Sequence, residues 1–189
     1  MSLSISYSAT YASSSLSSYF SAWELTFADN NHTSGNVNEG SNTGGFYPGY
    51  LSGTQYAISG YESTGAFVAE GTLNYDITTH VLSGDLDGVD LGGYLYRDSS
   101  TGYHLLDEQA SFDGLGLSGS DVHDTIYALM SGDTSELEAQ LNDILDDYGV
   151  STDDTFDVVA AALAAGPLST GSAETVGVPE LVDDLALAA

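Results

Sequence analysis

Apolar side chains near the N-terminus follow a helical period and predict a helix from about Ser15 to Phe27. The apolar positions that recur at intervals of three and four residues are Leu16, Tyr19, Phe20, Trp23 and Phe27. This spacing places all of them on one helical face, and the run of serines ahead of them offers an N-cap. A short alternating stretch over residues 3–7 precedes the helix.

Between Gln55 and Leu117 the pattern changes to short alternating runs. The clearest ones cover residues 56–58, 66–68, 72–77 and 80–86. Gly, Ser and Asp separate these runs at intervals of roughly ten residues, as in antiparallel sheets with tight turns. The middle of the chain is therefore predicted to form an antiparallel meander.

Helical periodicity returns after residue 120. One helix is predicted from about Asp121 to Met130. A second begins at Asp133 with Glu136 in a capping-box spacing and continues to Tyr148, and a third covers residues 153–165 before Gly166. Strands grouped in the middle and helices grouped around them predict an α+β fold, with one curved antiparallel sheet packed on a layer of about four helices.

The domain organisation predicted from the sequence is simple. Residues 1–166 suffice for one hydrophobic core, and no internal repeat suggests a second domain. From residue 167 to 189 the composition shifts to Gly, Ser, Thr and Ala with acidic residues and leucines. This composition predicts a flexible acidic tail.

Charge excludes several classes of partner. The chain has 28 acidic residues against one basic residue, Arg97, and a formal net charge of −27. Such a surface repels phosphate backbones and anionic lipids, so we expect no nucleic-acid partner. No apolar stretch reaches the ~18–20 residues of a membrane span, so no membrane insertion is expected either.

Enzymatic motifs are missing from the sequence. There is no Gly-x-Ser-x-Gly elbow, no His-Glu-x-x-His helix and no phosphate loop with a lysine, because the chain has no Lys. With no Cys, zinc and thiol chemistry are also disfavoured. A catalytic function therefore has no motif behind it.

Three residues nevertheless suggest an iron site. His32 lies in a Gly- and Asn-rich segment, residues 29–49, and Tyr75 is followed by His80 at the edge of a predicted hairpin. A tyrosine phenolate is a hard ligand and serves as an axial ligand of haem iron. Tyrosine titrates near pKa ~10, so a neighbouring acceptor such as His80 would assist its deprotonation. On residue types alone, a packing tyrosine and ordinary surface histidines are the more common arrangement, so these residues suggest a site only weakly.

Several unusual strings change that balance. They occur at residues 4–7, 31–32, 40–46, 52–57, 127–133 and 155–157, in this order. With them, essentially the whole chain resembles the HasA-type hemophores, secreted bacterial proteins that capture haem. The resemblance implies that haem b, as ferric protoporphyrin IX, is held between two loops at one edge of the sheet.

The resemblance also implies residue roles. His32 and Tyr75 correspond to the two axial iron ligands, and His80 to the histidine that hydrogen-bonds the tyrosine oxygen. Apolar haem contacts are expected from Val37, Tyr56, Ile77, Leu82, Tyr127 and Met130. The turn from Tyr75 to His80 is shorter than is usual in the family, and Asp76 follows the ligand. With Arg97 as the only cation, the haem propionates are expected to face solvent.

Partners follow from the same resemblance. It implies an extracellular, monomeric protein of a Gram-negative bacterium that serves iron acquisition. Haem, taken from host haemoproteins, would be delivered to an outer-membrane TonB-dependent receptor. A type I ABC exporter would read the tail at residues 167–189.

Two alternatives come from other functional classes. A secreted structural or adhesive protein would also explain the acidic, Gly- and Ser-rich composition, and would not bind haem. A secreted haem enzyme such as a peroxidase would need an open iron position, which two axial protein ligands leave no room for.

Overall fold

The computed structural model describes residues 2–27, 45–60 and 64–168. The described strands are β1 (Ser4–Tyr7), β2 (Gly45–Pro48), β3 (Ser52–Ser59), β4 (Gly65–Asp76), β5 (Val81–Asp98) and β6 (Gly102–Ser118). The described helices are α1 (Leu16–Phe27), α2 (Ser120–Met130), α3 (Ser135–Leu145) and α4 (Phe156–Ala165).

The strands form one antiparallel six-stranded sheet in the order β1-β6-β5-β4-β3-β2. Strands β2 to β6 each pair with their neighbours in sequence, whereas β1 closes the other edge by pairing with the last strand. The sheet packs on four helices among the described residues. The predicted α+β class is confirmed.

Strand lengths differ from the prediction. The runs over residues 66–68 and 72–77 belong, except for Ile77, to one strand, β4, which continues through a bulge between Glu70 and Gly71. Gly71 and Gly84 have φ values of +157° and +118°, and a Cβ at either position would meet the backbone of the paired strand. These glycines therefore allow close strand approach inside the sheet, although Gly71 looks like a turn signal in the sequence.

Helix α1 covers the sheet with the predicted apolar face, since all five of its periodic side chains are buried. The Ser18 N–H donates to Ser15 Oγ at 3.2 Å, which confirms the serine cap. Trp23 lies at the centre of this face. Its indole N–H donates to the carbonyl of Gly92 at 3.2 Å, and its ring stacks on Phe27 at 4.8 Å between centroids.

Helix α3 begins later and ends earlier than predicted. It starts at Ser135, and a 3₁₀ turn over Asp146–Tyr148 follows Leu145. The predicted cap residue, Asp133, instead accepts the N–H of Ser135 at 2.9 Å. Glu24 of α1 accepts the N–H and hydroxyl of Thr134 at 2.8 and 2.6 Å. A long-range carboxylate therefore fixes this helix start, which local spacing could not reveal.

Helix α4 also begins later than predicted, at Phe156 instead of residue 153. Its first N–H groups donate to distant carbonyls, from Phe156 to Ser14 at 3.1 Å and from Asp157 to Ala12 at 3.2 Å. The preceding residues form a separate turn in which Asp154 accepts the N–H of Ser151 at 2.9 Å.

The turn end of the β5–β6 hairpin bends over the outer face of the sheet, which is the face opposite the helices. Buried Gln55 of β3 accepts the N–H of Tyr103 at 2.8 Å and donates to its carbonyl at 3.2 Å, although two strands lie between β3 and β6. The guanidinium of Arg97 lies 5.6 Å from the ring centroids of Tyr47 and Tyr103. The only Lys or Arg of the chain is therefore engaged by aromatic rings on this outer face.

Asp90 occupies the outer face in the middle of β5. Burial raises the pKa of its carboxyl to about 7, opposed by a hydrogen bond from Ser111 and supported by nearby Glu70, Glu108 and Asp113. A raised folded-state pKa favours the protonated form. The protonated Asp90 carboxyl therefore contributes to the free energy of unfolding in full below pH ~4, and this contribution is lost as the pH rises through about 7.

We expect Asp90→Asn, which mimics the protonated carboxyl, to stabilise the fold at pH 8 by roughly 2–4 kcal/mol and to change little at pH 4. Urea denaturation at both values measures this difference. Asp87→Asn on the same strand is the control and should show no such pH-dependent gain. Equal effects of Asp90→Asn at the two pH values would contradict the assignment.

Candidate functional site

A cavity of about 620 Å³ lies between one end of the sheet and helix α2. Its described wall is formed by Gly45, Phe46, Tyr50, Leu51, Tyr56, Tyr75, His80, Leu82, His123, Tyr127 and Met130. The volume falls within the roughly 300–1,000 Å³ of small-molecule sites, and an aromatic wall with a few polar groups is typical of them.

Tyr75 and His80 form the polar centre of this wall. Tyr75 is the penultimate residue of β4, and His80 is the last residue of the turn that leads into β5. The Tyr75 hydroxyl and His80 Nδ1 are 2.6 Å apart. When the hydroxyl donates to Nδ1, the neutral ring carries its own proton on Nε2. If the phenol is deprotonated, the same nitrogen can hold the proton and stabilise the phenolate.

The backbone of the turn between them is closely tied. The carboxylate of Asp76 accepts hydrogen bonds from the N–H groups of Thr78 and Thr79, and the backbone carbonyl of Asp76 accepts one from the N–H of His80. Hydrogen bonds from these two threonine N–H groups lower the pKa of Asp76. The carboxylate is therefore ionised at neutral pH, next to Tyr75.

Helix α2 supplies the opposite wall. The ring of His123 stacks on that of Tyr127 at 5.4 Å, and its Nδ1 accepts the N–H of Leu82 at 3.2 Å. Because Nδ1 is an acceptor, the neutral ring carries its proton on Nε2 and offers a donor there. This bond also attaches the start of β5 to the helix.

The floor of the cavity is aromatic. The Tyr56 hydroxyl donates to Met130 Sδ at 3.5 Å, and its ring lies 4.8 Å from that of Phe46. Burial, followed by the proximity of Tyr75, raises the pKa of Tyr56. Tyr56 therefore stays a neutral, fixed wall residue, whereas Tyr75 has a hydrogen-bond acceptor at its oxygen.

The structure brings most of the predicted site residues to this cavity. They are Tyr56, Tyr75, His80, Leu82, Tyr127 and Met130. Ile77 is outside the described wall and is 60% exposed at the tip of the turn. In this four-residue turn, the side chain of Ile77 points to solvent. His32 and Val37 lie outside the described residues.

Sequence reasoning missed part of the wall. Phe46 enters it from β2, and Tyr50 and Leu51 enter it from the turn between β2 and β3. Tyr50 is 88% exposed. The one local signal was the aromatic cluster that follows the Gly-rich segment. His123 of α2 also belongs to the wall.

The described wall of the cavity contains no Lys or Arg. Phe46 faces the cavity, whereas its neighbour Tyr47 and the associated Arg97 lie on the outer face of the sheet.

Within the described ranges, no group of three His, Asp or Glu side chains could hold a metal ion by itself. The same ranges contain no helix long and apolar enough to cross a membrane. The cavity thus presents an aromatic wall with one tyrosine hydroxyl held against an imidazole.

Comparisons with known proteins identify the family of this chain. The family model for heme-binding protein A, HasA, matches residues 1–189. Hemophore HasA from Serratia marcescens is 45% identical over 185 residues, which cover 92% of this chain and 98% of the relative.

Solved structures give the same result. Holo hemophore HasA from Yersinia pestis is similar with a TM-score of 0.69 and 28% identity, over 83% of this chain and 95% of that chain. A monomer of a HasA mutant from Yersinia pseudotuberculosis, in which a tyrosine is replaced by alanine, has a TM-score of 0.68 and 26% identity, over 82% and 94%. The chain belongs to the HasA family of heme-binding proteins.

Proposed function

We propose that this protein is a hemophore that binds ferric haem through Tyr75 and His32 and delivers it for iron acquisition. The observation that carries the proposal is the 2.6 Å contact between the Tyr75 hydroxyl and His80 Nδ1 in the wall of an aromatic cavity. An imidazole acceptor favours the phenolate, which is the form that binds Fe(III). The name of the Serratia relative, a hemophore, supports the same function.

The cavity fits haem by its chemistry. Haem b presents a large apolar face, and Phe46, Tyr56, Tyr127 and Met130 offer aromatic and thioether surface against it. The propionates find no Lys or Arg at the cavity, so they face solvent. Affinity then depends on iron coordination and on apolar contact.

His32 is the proposed second ligand. It lies outside the described residues, so its assignment depends on the family resemblance and on the sequence around it. With two axial protein ligands, the iron has no open position for a substrate. The proposed function is therefore that of a haem carrier and not of an enzyme.

Delivery and export complete the proposal. The protein acts outside the cell as a monomer, takes haem from host haemoproteins and passes it to an outer-membrane TonB-dependent receptor. A type I ABC exporter recognises the tail at residues 167–189, and residues 1–166 form the haem-binding domain.

His80→Asn tests the pairing at the centre of the site. Asparagine tolerates left-handed backbone, so the turn can persist without the imidazole. We expect the affinity for hemin to fall by roughly 10–100-fold, as for other partners of metal ligands. Absorbance titration with hemin measures it. His104→Asn, in the β5–β6 hairpin, is the control, and an equal loss in both variants would contradict the proposed pairing.

Removing the tail tests the export claim. The Leu168 N–H donates to the carbonyl of Asp147 at 2.8 Å, so the truncation is placed after this residue. When expressed with a type I exporter from a HasA system, the truncated protein is expected to stay in the cell, while the full chain reaches the medium. The purified truncated protein should bind hemin as the full chain does. Export of the truncated protein would overturn the claim.

A further inference from the structure

Two hairpin turns of the sheet are each capped by an aspartate in the same way. In the β4–β5 turn, Asp76 Oδ1 accepts the N–H of Thr78 at 2.7 Å and that of Thr79 at 3.2 Å. In the β5–β6 turn, Asp98 Oδ1 accepts the N–H of Ser100 at 2.7 Å and that of Thr101 at 3.1 Å. Each carboxylate thus fixes the backbone of the residues two and three positions after it in the turn.

The two turns differ four residues after the aspartate. In the β5–β6 turn this position is Gly102, the first residue of β6, at φ +99°, and in the β4–β5 turn it is His80, directly before β5, at φ +59°. Glycine adopts positive φ freely, but histidine pays a steric cost there. The His80 N–H donates to the Asp76 carbonyl at 2.8 Å, so Asp76 contributes both its carboxylate and its backbone to this conformation.

The conformation of His80 has a direct consequence for Tyr75. His80 is exposed, and no core packing holds its ring. Its Nδ1 reaches the Tyr75 hydroxyl because the turn brings the two residues side by side across the start of the β4–β5 pairing. The hydrogen bonds of the turn thus do for the imidazole what core packing does for a buried one.

We infer that Asp76 is a positioning residue for haem binding, which holds the short turn so that His80 meets the oxygen of Tyr75. This inference rests on the proposed function. A carboxylate beside Tyr75 disfavours a phenolate by charge repulsion, so its benefit comes from the hydrogen bonds of the turn. Asparagine keeps the accepting Oδ1 and removes the charge, which separates the two effects.

The dissociation rate of hemin tests the inference in the full-length protein. We expect Asp76→Ala to release hemin about tenfold faster, and Asp76→Asn to stay within about twofold of the original protein. Asp98→Ala is the matched control, because it removes the same cap from a turn that contributes no residue to the described cavity wall. It should also stay within about twofold. Thermal melting of each variant accounts for general destabilisation.

A second readout uses the protein without hemin. The imidazole ¹⁵N shifts of His80 report the hydrogen bond at Nδ1, and Overhauser contacts report the distance between the His80 and Tyr75 rings. Both signals should be lost in Asp76→Ala and retained in Asp76→Asn and Asp98→Ala. This readout also serves if Asp76→Ala binds hemin too weakly for kinetics.

The outcomes separate this inference from the proposed function. Hemin release and His80 signals in Asp76→Ala that match the original protein would overturn the inference while Tyr75 remains the ligand. Equal acceleration in Asp98→Ala, or in Asp76→Asn, would also overturn it. Failure of the original protein to bind hemin would overturn the proposed function itself, and unchanged His80 signals in Asp76→Ala would still refute the positioning role.

Discussion

Tyr75→Phe is expected to lower the affinity for hemin by at least about a hundredfold, more than any other single substitution in the described cavity wall. Phenylalanine keeps the ring that packs beside the core and removes only the oxygen that binds iron. Loss of a ligand should exceed the roughly 10–100-fold effect of losing the ligand's partner, His80. Competition with a haem-binding protein of known affinity measures the change.

Tyr127→Phe provides the control for this prediction. It removes one hydroxyl from the same cavity wall, on the α2 side, where the ring of Tyr127 stacks on His123. We expect its affinity to stay within about threefold of the original protein, because ring contact is retained. A loss in Tyr75→Phe no larger than that in Tyr127→Phe would contradict the proposal that Tyr75 binds the iron.

Trp23→Ala is expected to destabilise the fold by about 3–5 kcal/mol, the range for large core aromatic side chains. Trp23 is 1% exposed, and its removal leaves a cavity beside Phe27 and takes the indole donor from the carbonyl of Gly92. Trp23→Phe should cost less, because it loses the hydrogen bond and only part of the ring volume. Urea denaturation measures both.

Leu25→Ala is the matched control on the same helix. Leu25 is 83% exposed, so its truncation should change the free energy of unfolding by less than about 0.5 kcal/mol. The folded fraction of Trp23→Phe should still bind hemin, because Trp23 lies outside the described cavity wall. A loss at Leu25 as large as that at Trp23 would contradict the described core.

The helical face of α1 could be predicted because burial imposes a period that is visible within thirteen residues. The length of β4 could not be predicted, because Gly71 lies inside a paired strand and resembles a turn glycine in the sequence. The start of α3 depends on Glu24, more than a hundred residues earlier. A local pattern shows only what neighbouring residues determine. The length of β4 and the start of α3 depend on residues that are distant in the sequence.

The candidate site divides in the same way. Tyr75 and His80 are close in sequence and meet across one turn, so their pairing could be anticipated from chemistry and spacing. The contribution of Tyr50 and His123 could not, because these residues come from a loop and a helix that only the packed fold brings to Tyr75. Nor does the sequence indicate that His80 adopts a left-handed conformation.

The central claim is that Tyr75 binds the iron of haem as a phenolate. Resonance Raman spectroscopy of the saturated hemin complex tests it most directly, with protein that carries ring-deuterated tyrosine. The account predicts iron-bound tyrosinate vibrations that shift on deuteration and are absent from the Tyr75→Phe complex. A saturated one-to-one complex without such vibrations, or with the same vibrations in Tyr75→Phe, would contradict the account.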